Sequence, residues 1–148
     1  MLCRKILVML MAGWLLQISM GCFNHNQYEQ SSLLLEENQR EDLVISVQKV
    51  DDYGGIFIFQ NDGNEIISYG DRNALEINLD GVWNSVLAYN QRELTEIAHQ
   101  LYPGETVEYT TEWEISTAGD YRYIVPFRIV NAPVTDLQQY AVISFNIP

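Results

Sequence analysis

The stretch Thr117-Ala118-Gly119-Asp120-Tyr121-Arg122-Tyr123 decides the fold. In antiparallel two-sheet sandwiches, a tyrosine that caps the corner between two strands sits two residues before the second cysteine of the disulfide joining the sheets. Gly119 and Tyr121 stand in the corner positions, and Tyr123 stands where that cysteine would be. From there Tyr121, Tyr123, Val125, Phe127 and Ile129 face one way, and Arg122 and Arg128 face the other, toward solvent. This is the period of two expected of a half-buried strand. Tyr123 therefore belongs to the apolar face, and its ring takes the volume that a disulfide would otherwise fill. The expected domain is a sandwich with no staple.

The same alternation recurs along the chain. Val107, Tyr109, Thr111, Trp113 and Ile115 alternate with Glu108, Thr110, Glu112 and Glu114, while Leu75, Ile77 and Leu79 alternate with Glu76, Asn78 and Asp80. Leu43, Ile45 and Val47 open the pattern, and Ala141, Ile143, Phe145 and Ile147 close it. Between these runs lie Asp52-Tyr53-Gly54-Gly55, Asn61-Asp62-Gly63-Asn64, Asp80-Gly81 and Pro103-Gly104, which supply positive or preset φ for turns. About seven short strands result, with a helical period only over Gln91 to Gln100. Strands punctuated this often define an all-β sandwich or barrel.

Residues spread over about a hundred positions resemble the bacterial immunoglobulin-like domains of exported lipoproteins, most of them from Gram-positive bacteria. They are Ile56-Phe57-Ile58-Phe59-Gln60-Asn61, Ile67-Ser68-Tyr69-Gly70 with Leu75-Glu76, Gly81-Val82-Trp83, Leu101-Tyr102-Pro103-Gly104-Glu105 with Trp113, and Gly119-Asp120-Tyr121-Arg122. The resemblance implies an immunoglobulin-like antiparallel β-sandwich and a cell-envelope setting; similar domains also occur attached to membrane sensors of cell-wall antibiotics. It carries no catalytic residues.

The chain has 148 residues, enough for one domain and a short extension, and a core of that size buries roughly two thirds of the unfolded surface without needing a disulfide. Against 20 Asp and Glu stand 8 Lys and Arg, a formal charge of −12, which excludes nucleic acid as a partner on electrostatic grounds. Arg4 and Lys5 precede an apolar run from Ile6 to Leu16, and Ser19-Met20-Gly21 precedes Cys22. That is the three-part layout of an export signal, too short for a comfortable membrane span. Ile18-Ser19-Met20-Gly21-Cys22 resembles a bacterial lipobox, although Ser19 stands where Leu is usual. The resemblance implies that the Cys22 thiol is acylated and the signal cut before it.

The expected organisation is a signal peptide over 1–21, a polar tether over 22–40 and the immunoglobulin-like domain over 41–148. Leu33, Leu34 and Leu35 interrupt the tether and either dock on the domain or form a short helical turn. Cleavage would leave six basic and 20 acidic residues, a net of −14, on a lipid anchor at the outer face of the bacterial cell membrane. Charge then holds the domain off an anionic bilayer.

No constellation points to catalysis or a cofactor. His25 and His99 are isolated, no Cys/His set exists for zinc or a nucleophile, and the serines lack a Gly-x-Ser-x-Gly elbow. Glu108, Glu112 and Glu114 could supply a carboxylate pair, but they also read as a solvated strand face. Asn61-Asp62-Gly63-Asn64-Glu65 is oxygen-rich yet lacks the spacing of a calcium loop, so a turn is expected. Tyr69, Trp83 and Trp113 could stack on a glycan; Trp113 lies on the apolar face and is expected in the core. Two function classes follow: a binding or accessory module for an extracytoplasmic protein or cell-wall partner, and a proteinase-inhibitor-like sandwich acting through a long loop. Asn61 to Glu65 and Ala88 to Gln100 are expected together at one end as the contact surface, with Asn131 to Gln139 as another candidate loop.

Overall fold

The structure is a computed structural model and describes residues 27–33, 35, 40–95, 97–133 and 138–148. Alternating apolar residues build ten strands among them: β1 (Tyr28–Gln30), β2 (Leu43–Asp51), β3 (Gly54–Asn61), β4 (Ile67–Gly70), β5 (Ala74–Leu79), β6 (Val82–Val86), β7 (Ala98–Leu101), β8 (Thr106–Glu112), β9 (Gly119–Ile129) and β10 (Gln139–Ile147). One four-residue helix, α1 (Leu87–Asn90), follows β6. The strands form two antiparallel sheets. The smaller is β2-β3-β8, and the larger runs β1-β6-β5-β9-β4-β7 with β10 on the other edge of β9.

Aromatic rings fill the space between the sheets. Tyr121, Tyr123, Val125 and Phe127 of β9 face Phe57 and Phe59 of β3, all fully buried or nearly so. Tyr123, at the cysteine position, stacks on Phe57 with centroids 4.5 Å apart and planes 3° from parallel. Trp113 packs 6.3 Å from Tyr123 and lies parallel to Phe145 at 5.9 Å. Offset stacks of this kind add about 0.5–1.5 kcal/mol each to the burial of the rings. Gly55 makes room for this cluster, because a Cβ there would come within 2.6 Å of both Phe57 and Trp113. The corner also forms: Tyr121 Oη donates to the Thr117 carbonyl at 2.5 Å. The disulfide is thus replaced by a ring cluster while the tyrosine corner is kept.

Asp80 and Gly81 have φ of 54° and 85°, the two positive values a two-residue hairpin needs, and they join β5 to β6. The most consequential departure from regularity lies in β4 and β5. Both pair with the same edge of β9, β4 through Phe127–Ile129 and β5 through Tyr121–Ile124, so they are one row broken at Asp71–Asn73. Pro126, which has no N–H for the ladder, falls in the gap opposite that break. Beyond the break the sheet forks, with β7 continuing from β4 and β6 from β5.

Four expectations are corrected. Gln91 to Gln100 is not a helix: α1 ends at Asn90, and Ala98–Leu101 pairs with β4. Asn90 is drawn to the backbone of Leu75, accepting from its N–H and donating to its carbonyl, which holds the chain out of helical course. Val47 is exposed, because the ladder shifts between Val47 and Lys49 at the sheet edge. Glu76 and Arg122, expected in solvent, are covered: Glu76 is 1% exposed and holds Arg122 through Nη2 at 2.5 Å and Nε at 2.6 Å. Last, part of the stretch expected as a tether lies on the domain. Tyr28, Glu29 and Gln30 pair with Val86, Ser85 and Asn84, Ser31 Oγ donates to Glu76, and Leu35 is buried. The apolar face of Tyr28 and the carboxylate of Glu76 give this polar stretch something to bind.

Candidate functional site

The break in the row β4–β5 is where polar groups converge. Backbone carbonyls freed from a ladder need donors, and Arg92 supplies them. Its Nη2 donates to the Asp71 carbonyl at 2.8 Å and its Nη1 to those of Tyr89 and Asn73 at 2.8 and 3.3 Å. The same guanidinium lies 3.6 Å over the Tyr89 ring, a cation–π contact that fixes its plane.

Asp71 closes the other side. Its Oδ1 accepts from Tyr109 Oη at 3.2 Å and its Oδ2 from Thr95 Oγ1 at 3.2 Å, while His99 Nε2 stands 3.7 Å from Oδ1. His99 in turn stacks on Tyr69 at 5.3 Å. Burial first, and then the Asp71 charge, push the Tyr109 hydroxyl well above its usual range, so it remains a donor. Asn73 donates to Tyr109 Oη at 3.0 Å, and its buried Oδ1 has no hydrogen-bond partner among the described residues.

Residues 92–95 are thereby clamped over the fork, and Thr95 and Ile97 wall a cleft of about 370 Å³ on the outer face of the large sheet. Ser68, Gly70 and Pro126 form its floor; Arg72, Thr95 and Ile97 stand around it. The volume lies at the small end of the range for ligand sites.

The sequence-derived candidates are placed as follows. Cys22 and His25 lie outside the described residues, as do positions 134–137 of the Asn131 to Gln139 loop. His99 is a half-exposed neighbour of the cleft. Asn61 is a fully buried knot: its Nδ2 donates to the carbonyls of Glu65 and Leu101, both at 2.8 Å, and its Oδ1 accepts from Gly63 N–H at 2.9 Å. Asn61 to Glu65 is therefore a turn tied to the 101–105 loop. Its Asn61 holds the carbonyl of Leu101, opposite Ile67, whereas Ala98 stands opposite Gly70 three residues further along β4, so 61–65 and 92–95 are offset along the sheet. Among the described residues no three of His, Cys, Asp and Glu come together as metal ligands. Trp113 and Tyr69 are core, and Trp83 lies beneath the Arg122 guanidinium, 4.4 Å from its ring centroid.

Asp71, Asn73 and Arg92 have no place among the residues the sequence singles out, and Arg128 is legible there only as an outward-facing strand residue. The polar triplet Asp71-Arg72-Asn73 between two apolar runs was the signal of a break; nothing in sequence brings Arg92 to it.

Two antiparallel sheets, a tyrosine corner and a ring cluster in place of the disulfide define an immunoglobulin-like sandwich. The chain belongs to the bacterial Ig-like domain family, whose model matches residues 39–139. A search of curated proteins finds no match for the chain. Domains of this family usually occur in exported proteins and are typically non-catalytic.

Proposed function

We propose that this chain is an extracytoplasmic lipoprotein whose immunoglobulin-like domain works as a binding or accessory module, recruiting its partner non-covalently through the flank built by 91–97. The observation that carries this reading is the clamp on that segment: Arg92 bonds to three backbone carbonyls and Asp71 bonds to Thr95, so a loop is held in one shape on a rigid scaffold. Recognition surfaces are commonly made this way, since a loop already ordered loses little entropy on binding. A clamped flank of this kind suits recruitment better than it suits a flexible wedge for a protease cleft.

Replacing 93–97 with a Gly/Ser linker, with Arg92 retained, is the test. Partners captured from envelope extracts by the unaltered chain should be lost from the altered one while the urea midpoint of the domain stays within about 1 kcal/mol. Unchanged capture by a folded variant rejects the flank as the contact surface. The anchor has its own test: Cys22→Ala should move the protein from the detergent phase to the aqueous phase, and continued firm membrane attachment overturns the lipid reading.

A further inference from the structure

We infer that the cleft at the strand break binds a carboxylate, presented by a short and otherwise uncharged peptide-like ligand. This deepens the binding-module reading, on which it rests, by giving the site a ligand class.

The cations of the chain carry the argument. Six described residues are Lys or Arg. Arg40 pairs with Asp42, Lys49 with Asp51 and Arg122 with Glu76; Arg92 is spent on backbone carbonyls, and Arg72 is also engaged. Arg128 is the exception: its guanidinium has no ion pair or hydrogen bond to a described residue, in a chain with 20 acidic side chains to choose from. It stands opposite Ser68 on the outer face of the sheet, in the wall of the cleft, with Arg72 lining the same space.

The surroundings favour a monoanion. Among the described residues that line the cleft, the one carboxylate is Asp71, and both of its oxygens already accept hydrogen bonds, so the Arg128 charge is left unanswered there. One guanidinium matches one carboxylate, whereas a phosphate dianion would be repelled more strongly by a chain carrying −12. The planar fork of Arg128 fits both carboxylate oxygens at once. A neutral donor is at hand in the Ser68 hydroxyl, and Ile97, 54% exposed, offers an apolar wall for a small side chain next to the carboxylate. Room for the ligand depends on Gly70, where a Cβ would crowd the Ile97 carbonyl at 3.1 Å and rise from the cleft floor.

The full chain in detergent can be titrated with trialanine, with its C-terminal amide and with inorganic phosphate, following the backbone amide resonances of Ser68, Gly70 and Ala98. Saturable shifts are expected with free trialanine. Affinity should fall at least about tenfold for the amide and for Arg128→Gln, the loss of a charge-assisted bidentate contact. The urea midpoint of Arg128→Gln should match that of the unaltered chain, because this side chain is exposed and supports nothing. Equal response to acid and amide, no saturation, or an Arg128→Gln variant that binds as well overturns the inference. Tighter binding of phosphate overturns it in favour of a phosphorylated ligand. If trialanine fails while partner capture still depends on 93–97, the carboxylate site falls and the binding-module reading stands.

Discussion

Adjacent residues 122 and 123 divide the energetics of the core between two chemistries. Tyr123 is 0% exposed, stacks on Phe57 and meets Tyr89 Oη at 3.1 Å, so Tyr123→Ala should cost about 3–5 kcal/mol, as large aromatic truncations do. Arg122 was legible in sequence only as an outward-facing residue, and a solvent-exposed arginine could be removed at almost no cost. Its partner Glu76 is buried, however, and stripping the guanidinium would leave an uncompensated carboxylate beneath Ser31 and Trp83. Arg122→Ala should therefore also cost about 3–5 kcal/mol, while replacing both members by apolar residues of similar volume should cost much less. Urea titration of the three variants checks this, and a near-neutral Arg122→Ala would show that the ion pair contributes nothing. The period of two identifies which face a residue is on, but not what lies over that face. That depends on a chain segment forty-five positions away, from Ser31 to Glu76.

Among the elements, β9 was the most legible and the row β4–β5 the least. In β9 every second residue is large and apolar, so its face and register follow from steric alternation alone. The row's two halves were each recognisable from Ile67-Ser68-Tyr69 and Leu75-Glu76-Ile77, but their collinearity depends on both pairing with one edge of β9, a contact with no local signature. The cleft was illegible for the same reason, since Arg128 and Gly70 are brought together by pairing and Thr95 joins them only through its bond to Asp71. β1 was hidden by its composition: Tyr28-Glu29-Gln30 is too short and polar to announce a strand, and it is ordered by the edge of β6 and by Tyr28 Oη donating to Thr117 Oγ1 at 2.8 Å. A chain beginning at Glu41 should consequently unfold at lower urea than one beginning at Gln27, with a difference of about 2–4 kcal/mol from the uncovered ion pair and lost edge contacts. Equal midpoints would mean that the N-terminal strand merely rests on the sheet.

At the scale of the whole molecule, stability is tied to five buried phenols. Burial is the leading cause that raises the hydroxyls of Tyr69, Tyr89, Tyr109, Tyr121 and Tyr123 above their usual value. An unfolded chain releases these protons near pH 10 and the folded chain retains them, so above that pH the unfolded state binds fewer protons and is favoured. The contribution is complete below about pH 10 and is lost as pH climbs past it. The urea midpoint should be flat up to roughly pH 9 and then fall, with phenolate absorbance of these five appearing together with unfolding; their ionisation in a folded domain would contradict the account. One feature of the architecture also bears on mechanics. Among the described residues, β1 is joined to the sheet by three residue pairs on one side, whereas β9 is paired along both edges. Tension applied at the N-terminus therefore reaches this short seam first: β1 peels away and lengthens the free chain, while the sandwich behind it keeps its shape and its flank. A single-molecule pull from the N-terminus should record a small, low-force extension before the main rupture, so the domain carries a shock absorber at that end.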